Sequence, residues 1–203
     1  MSWAQASASS VFWYSVASST NGAKLAAAVY GGGIYVSGNS GGTWTQTTAP
    51  IMYWYRLASS ADGVKLAAAA SGGGIYVSSN SGTSWTQTAA PLTSWDSLAC
   101  SADGSRLFAT SADRGIWASL DSGATWFQTG AATTVDWLAI TCPADGSKIV
   151  ATGYEIGIYL FQLFTKTGTS GYVTGGLGSA IELQYIGNGQ FIALSSGGMI
   201  APN

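Results

Sequence analysis

Residues 115 to 129 read GIWASLDSGATWFQT, which sets the carboxylate of Asp121 in a frame of Ser119, Gly123 and Trp126. A carboxylate beside a hydroxyl on a turn can order backbone amides, hold a cation or assist an acid–base step. The frame recurs twice with Asn in place of Asp: Ser37, Asn39, Gly41 and Trp44, then Ser78, Asn80, Gly82 and Trp85. Those copies discriminate. An amide oxygen accepts the same turn hydrogen bonds as a carboxylate, but it does not titrate and brings no charge to a metal. The frame therefore reads as a structural turn in which Ser and Asx oxygens take turn amides, Gly is left-handed and Trp packs between sheets.

Other chemistry is sparse. His is absent, and two separated cysteines, Cys100 and Cys142, make no zinc site, so catalytic triads and the usual metal chemistry are excluded. The Gly-rich stretches open strands rather than helices, so no phosphate loop is present. Asp113 and Glu155 are the pair that a two-carboxylate hydrolase would use, one of them at raised pKa. No cofactor and no metal are expected.

These residues ride on a repeat. Trp3, Trp44, Trp85 and Trp126 stand 41 apart, as do Trp13, Trp54 and Trp95, with Trp137 one residue later. Each unit holds a strand from the Trp, an Asn-Gly or Asp-Gly hairpin turn, a "KLAAA" strand, a "GIYVS" strand, the Ser-Asx turn and a "WTQT" strand. Four short antiparallel strands at this period are a propeller blade. The fourth unit, from Trp137, keeps three strands but loses its turn motif in "YLFQLFTKTGTSGYVTGG", and the fifth ends after its third strand. "SWAQAS" at the start has the phase of a lone fourth strand, so the prediction is an all-β, five-bladed β-propeller of four-stranded blades in one domain, residues 1–203. Its ring closes when the N-terminal strand completes the last blade. A larger ring built by oligomerisation is the alternative.

Seven Lys or Arg stand against nine Asp or Glu, a formal net charge of -2. Four cations (Lys24, Lys65, Arg106, Lys148) recur one per repeat without forming a patch, which argues against nucleic acid. No run of 18 apolar residues suggests membrane insertion. The first residues lack the basic and apolar regions of a signal peptide, which leaves the compartment open; the composition is compatible with an extracellular setting. Cys100 and Cys142 share one phase of successive sheets about 10 Å apart, beyond the roughly 7 Å a disulfide spans, so free thiols are expected.

The Ser-x-Asx-x-Gly-x-x-Trp turn with its period resembles the Asp-box, or BNR repeat, of sialidases, sortilin-type receptors, some glycoside hydrolases and the photosystem II assembly factor. The resemblance covers repeats one to three well and repeat four weakly. It implies that function sits at the end opposite the Asp-boxes. A sialidase-like clamp needs three arginines on one carboxylate. Here only Arg56, Arg106 and Arg114 exist, and Arg106 reads as a surface cation at the repeated Lys position.

The loops at that other end carry aromatic rings with amides, hydroxyls and a few carboxylates, the composition of a sugar-binding rim. Trp13, Trp54, Trp95 and Trp137 recur and read as packing between blades. Tyr30, Tyr53, Asp96, Asp113, Arg114, Tyr154 and Glu155 do not recur, and they are the candidate ligand-binding residues. The expectation is a binding module without catalysis, lectin-like and served by several equivalent weak sites. A protein-interaction or assembly scaffold is the alternative, and a glycoside hydrolase ranks behind both. The partner is a glycan or a protein.

Overall fold

The structure, a computed structural model, describes residues 6, 8, 11–162, 171–174, 180–187 and 190–196, with side chains as far as residue 162. Every regular element in it is a β-strand. The first repeat forms β1 (Trp13–Ser18), β2 (Leu25–Gly32), β3 (Ile34–Ser37) and β4 (Thr45–Gln46). The second forms β5 (Met52–Ser59), β6 (Leu66–Ala70), β7 (Ile75–Ser78) and β8 (Thr86–Gln87). The third forms β9 (Trp95–Cys100), β10 (Leu107–Ser111), β11 (Gly115–Ser119) and β12 (Phe127–Gln128), and the fourth β13 (Trp137–Thr141), β14 (Lys148–Gly153) and β15 (Ile158–Gln162).

Within each repeat consecutive strands pair antiparallel, as in a blade. The first two blades are also tied edge to edge, because β2 runs on to pair Tyr30 with Tyr53 and Gly32 with Met52 of β5. One repeat later this tie shrinks to a single bridge, Gly73 with Thr93. First strands stack on one another: β5 lies against β1, β9 against β5 and β13 against β9. The serine in the third position of the strand joins two of these steps, the Leu57 amide donating to Ser15 Oγ at 2.9 Å and the Ile140 amide to Ser97 Oγ at 3.2 Å.

The core lies between blades. Ala26, Ala28 and Ile34 of the first pack on Trp54, Leu57 and Leu66 of the second, and the next two interfaces repeat the arrangement around Trp95 and Trp137. A second strand so enclosed has no solvent face. All five residues of β6 are buried, which is why it reads Leu-Ala-Ala-Ala-Ala instead of alternating. The tryptophans are hydrogen-bonded in place where the preceding loop offers a carbonyl: Trp54 Nε1 donates to Pro50 O at 3.2 Å, and Trp137 Nε1 to Ala132 O at 2.9 Å.

At one end of the strands the two kinds of turn meet. In the Ser-Asx turn of the third blade, Ser119 Oγ donates to Asp121 at 2.8 Å and accepts the Gly123 amide at 2.8 Å, while Asp121 accepts the Thr125 amide at 2.8 Å. Asn39 and Asn80 stand in the same bonds. The hairpin turns form a chain across blades, with Thr20 N on Ala61 O, Ala61 N on Ala102 O and Ala102 N on Ala144 O, at 2.7 to 2.8 Å.

The repeated cations join that chain. Lys24 Nζ reaches Ser81 Oγ of the next blade at 3.1 Å, and Lys65 Nζ reaches Ser122 Oγ at 3.2 Å. Arg106, expected as a surface cation, instead donates from Nη1 to Gly146 O of the next blade at 3.0 Å. Its stem lies over Gly146, where a Cβ would meet Arg106 Cδ at 2.8 Å.

One further expectation is modified: the strand Gly171–Thr174 (β16) pairs with β17 (Ala180–Gly187), and β17 with β18 (Gln190–Ser196), so it joins the fifth repeat and not the decayed end of the fourth. Closure by the strand around Trp3 lies outside the described residues. Cys100 and Cys142 are free thiols. Burial pushes Cys100 up to about 12 and Cys142 up to about 11.

Candidate functional site

Antiparallel pairing puts the Ser-Asx turns at one end of the blades and the starts of the first strands at the other. All seven candidate residues stand at the second end. Three positions per blade build it: the residue before the repeated Trp, the residue after it, and the end of the second strand. In the first two blades these are Phe12, Tyr14 and Tyr30, then Tyr53, Tyr55 and Ser71. In the next two they are Ser94, Asp96 and Ala112, then Asp136, Leu138 and Tyr154. The end is therefore aromatic on one half and acidic on the other.

The aromatic half is continuous. Tyr14 lies 4.8 Å from Tyr55 between ring centroids and 5.4 Å from Tyr30, and Tyr30 lies 5.0 Å from Tyr53 and 5.7 Å from Phe12. Arg56 places its guanidinium carbon 5.9 Å from the centre of the Tyr14 ring. Tilted and edge contacts of this kind fix each ring at small entropic cost and leave faces to solvent. Tyr53 is 57% exposed and Phe12 65%. Tyr14, then partial burial, Tyr30 and Asp96, raise the Tyr55 hydroxyl above its usual range, so it remains a neutral donor.

Asp96 stands where the aromatic half has Tyr14 and Tyr55, and its role differs from theirs. In the other blades the amide ending the second strand donates to a first-strand carbonyl: Tyr30 to Phe12, Ser71 to Tyr53, Tyr154 to Asp136. In the third blade the Ala112 amide donates instead to Asp96 Oδ2, at 3.0 Å. Burial raises the Asp96 carboxyl, the Ala112 amide opposes that, and Asp136 raises it further.

Asp113 accepts from Ser111 Oγ at 2.6 Å and Thr93 Oγ1 at 2.9 Å, bonds that lower its pKa, and Arg114 Nε lies 3.9 Å away. Arg114 offers its carbonyl to Trp117 Nε1 and Gln128 Nε2. Tyr154 is 63% exposed, and Glu155 sits beside it at φ +53°, where the first two blades have glycine. No hydrogen bond or ion pair joins Asp113 to Glu155 among the described residues. Nor do three or more His, Cys, Asp or Glu there gather as a metal would need.

Of the expected residues, the structure brings together Tyr30 with Tyr53 and Asp113 with Arg114, and it sets Asp96 within electrostatic reach of Asp113. Tyr154 and Glu155 stand apart on the fourth blade. Phe12, Tyr14, Tyr55, Arg56 and Asp136 were missed. The signal was available, because Tyr14 and Tyr55 share the phase of Asp96, and Phe12 and Asp136 that of Tyr53. The expected equivalent sites on each blade are not seen: the three positions change character from blade to blade.

No family model and no curated protein matches the chain. Among solved structures, the computationally designed Ika4 protein superposes with a TM-score of 0.67 at 12% identity, covering 81% of this chain and 100% of that one. The GH74 enzyme of Niastella koreensis gives 0.61 at 16% identity over 90% of this chain and 30% of its own. The GH74 xyloglucanase of Xanthomonas campestris gives 0.60 at 13% identity, over 86% and 35%. The chain thus spans about a third of the length of these enzymes, and what it shares with all three is a propeller-like, all-β fold.

Proposed function

We propose that the protein is a non-catalytic carbohydrate-binding module that reads its ligand on the aromatic end of a five-bladed, Asp-box-type ring. The observation that carries the reading is the cluster of Phe12, Tyr14, Tyr30, Tyr53 and Tyr55, with four phenolic hydroxyls among five mutually supported rings. Such faces stack on the apolar side of a pyranose while the hydroxyls bond its edge. Among the described residues the cluster occurs once, which supports one composite site. A glycosidase-like superposition adds that this fold can serve polysaccharide chemistry in other proteins.

Asp113 does not suit the general-acid role in the expected Asp113–Glu155 pair: it accepts from Ser111 and Thr93, bonds that lower its pKa, whereas a general acid needs its proton near neutral pH. Val16 is 74% exposed although Leu57, Leu98 and Ile140 are buried at the same phase of the following blades, an apolar blade face of the kind a ring would cover. Its face of the first blade is shaped for a preceding one.

Titration calorimetry against a panel of neutral oligosaccharides tests the reading. Binding is expected, and Tyr53→Ala is expected to weaken it by about tenfold, the loss of one stacking face. A well-folded protein that binds no oligosaccharide overturns it. The scaffold alternative rests on the same asymmetry, and it predicts a co-purifying protein released by substitutions at Tyr154 and Glu155.

A further inference from the structure

We infer that the ligand of the aromatic surface is a cationic glycan, a chain of hexosamine units bearing free amino groups. This rests on the carbohydrate reading and goes on to name the sugar's charge. The exposed rings define a surface for pyranose faces, and the charge around them selects the occupant.

At the turn end the described charges balance, with Lys24, Lys65, Arg106 and Lys148 against Asp62, Asp103, Asp121 and Asp145. At the aromatic end they do not. Asp96, Asp113, Asp136 and Glu155 face only Arg56 and Arg114, and Arg114 lies beside Asp113. The surplus negative charge of the described chain therefore lies at this end, with Asp96 the carboxylate that acts on a ring residue, Tyr55.

The two halves are contiguous. Tyr55 and Asp96 occupy the same phase of β5 and β9, which pack directly against each other. Asp96 acts electrostatically on the Tyr55 hydroxyl, and Arg56, set against Tyr14, acts on Asp96. Among the described residues no donor reaches the side chains of Asp136 or Glu155, and Asp96 engages only through Oδ2. These oxygens can take the three N–H donors of an ammonium group without breaking a protein bond.

A hexosamine unit places its ammonium directly on the ring, so one unit stacked on Tyr53 or Tyr55 leaves the next to present its amine toward Asp96 and Asp136. An anionic sugar would meet the same carboxylates as repulsion, with only Arg56 and Arg114, the latter beside Asp113, in its favour.

The test is calorimetry of the full chain at about pH 6 with three β-1,4-linked hexamers that differ only at C2: glucosamine, N-acetylglucosamine and glucose. The glucosamine hexamer should bind about tenfold more tightly than the glucose hexamer, and added salt should close the gap. Asp96→Asn should bring the ratio of glucosamine to glucose hexamer affinity toward one, and Tyr53→Ala should weaken all three. Equal binding of the three hexamers, or preference for an uncharged one, overturns the cationic assignment and leaves the carbohydrate reading intact. Binding of none overturns both. A lysine hexapeptide that binds as well as the glucosamine hexamer, unaffected by Tyr53→Ala, reduces the effect to bare charge attraction and also overturns the assignment.

Discussion

Gly104 shows how one position can answer to two blades. Its φ is +64°, and a Cβ there would meet the Lys65 side chain of the preceding blade at 2.9 Å. Gly22 in the first blade has the same turn geometry, φ +70°, with nothing within 4 Å. The pair separates backbone strain from crowding. Gly22→Ala should cost about 1 kcal/mol for the left-handed conformation alone. Gly104→Ala should cost roughly a further 1 to 2 kcal/mol, because the lysine stem must shift and its bond to Ser122 is lost. Urea unfolding of the two variants measures the difference, and equal losses would show that the lysine moves aside freely. The Asn-Gly and Asp-Gly dipeptides announce the turns; that Lys65 lies on Gly104 is not legible, since it depends on how closely two blades approach.

The second strands explain the element-level economy of the chain. β6 and β10 lie between two neighbours each, and every residue in them is buried. Small side chains set the spacing at which the next tryptophan fills the gap, as Ala69 and Trp95 do in the interface between the second and third blades. Ala69→Leu should therefore be overpacked and destabilise by about 1 to 3 kcal/mol. The same change at Ala132, which is exposed, should fall within about 0.5 kcal/mol. Thermal or urea unfolding distinguishes them, and equal behaviour would mean that the interface can open. Strand type and order were legible in the repeat for the first three units. The first three strands of the fourth unit were legible too; beyond them the turn frame had decayed and nothing local showed that β16 would join β17.

Acid response belongs to the molecule as an assembled set of turns. Asp62, Asp103, Asp121 and Asp145 are all lowered by hydrogen bonds from neighbouring hydroxyls and amides, Ser60, Ser101 and Thr125 leading for the first three and the Ser147 amide for the last. A carboxyl lowered by folding contributes stability that is complete above its unfolded pKa and lost as pH falls through its folded one. Asp96 has the opposite sign: raised by burial, it favours the folded state at low pH and costs stability as pH rises through its folded value. With Asp113 also lowered, the lowered carboxyls outnumber the one raised site, so stability should fall below about pH 4. Asp103→Asn, which installs the amide that Asn21 already provides in the first blade, should flatten that fall, and Asp96→Asn should raise the unfolding midpoint at pH 7 but not at pH 3. Unfolding midpoints across pH check both signs.

The amino-acid sequence alone determined the period, the strand order of the first three units, the two turn types and the end at which function was to be sought. Each of these depends on hydrogen bonds and steric preferences within a few residues, and such rules repeat wherever the residues do. Only the tertiary structure decided that Tyr14 meets Tyr55, that Asp96 replaces a backbone carbonyl and that Arg106 crosses to the next blade. Tyr14 with Tyr55 and Arg106 with Gly146 are about one repeat apart and meet only because neighbouring blades pack closely, whereas Asp96 reaches Ala112 across its own blade.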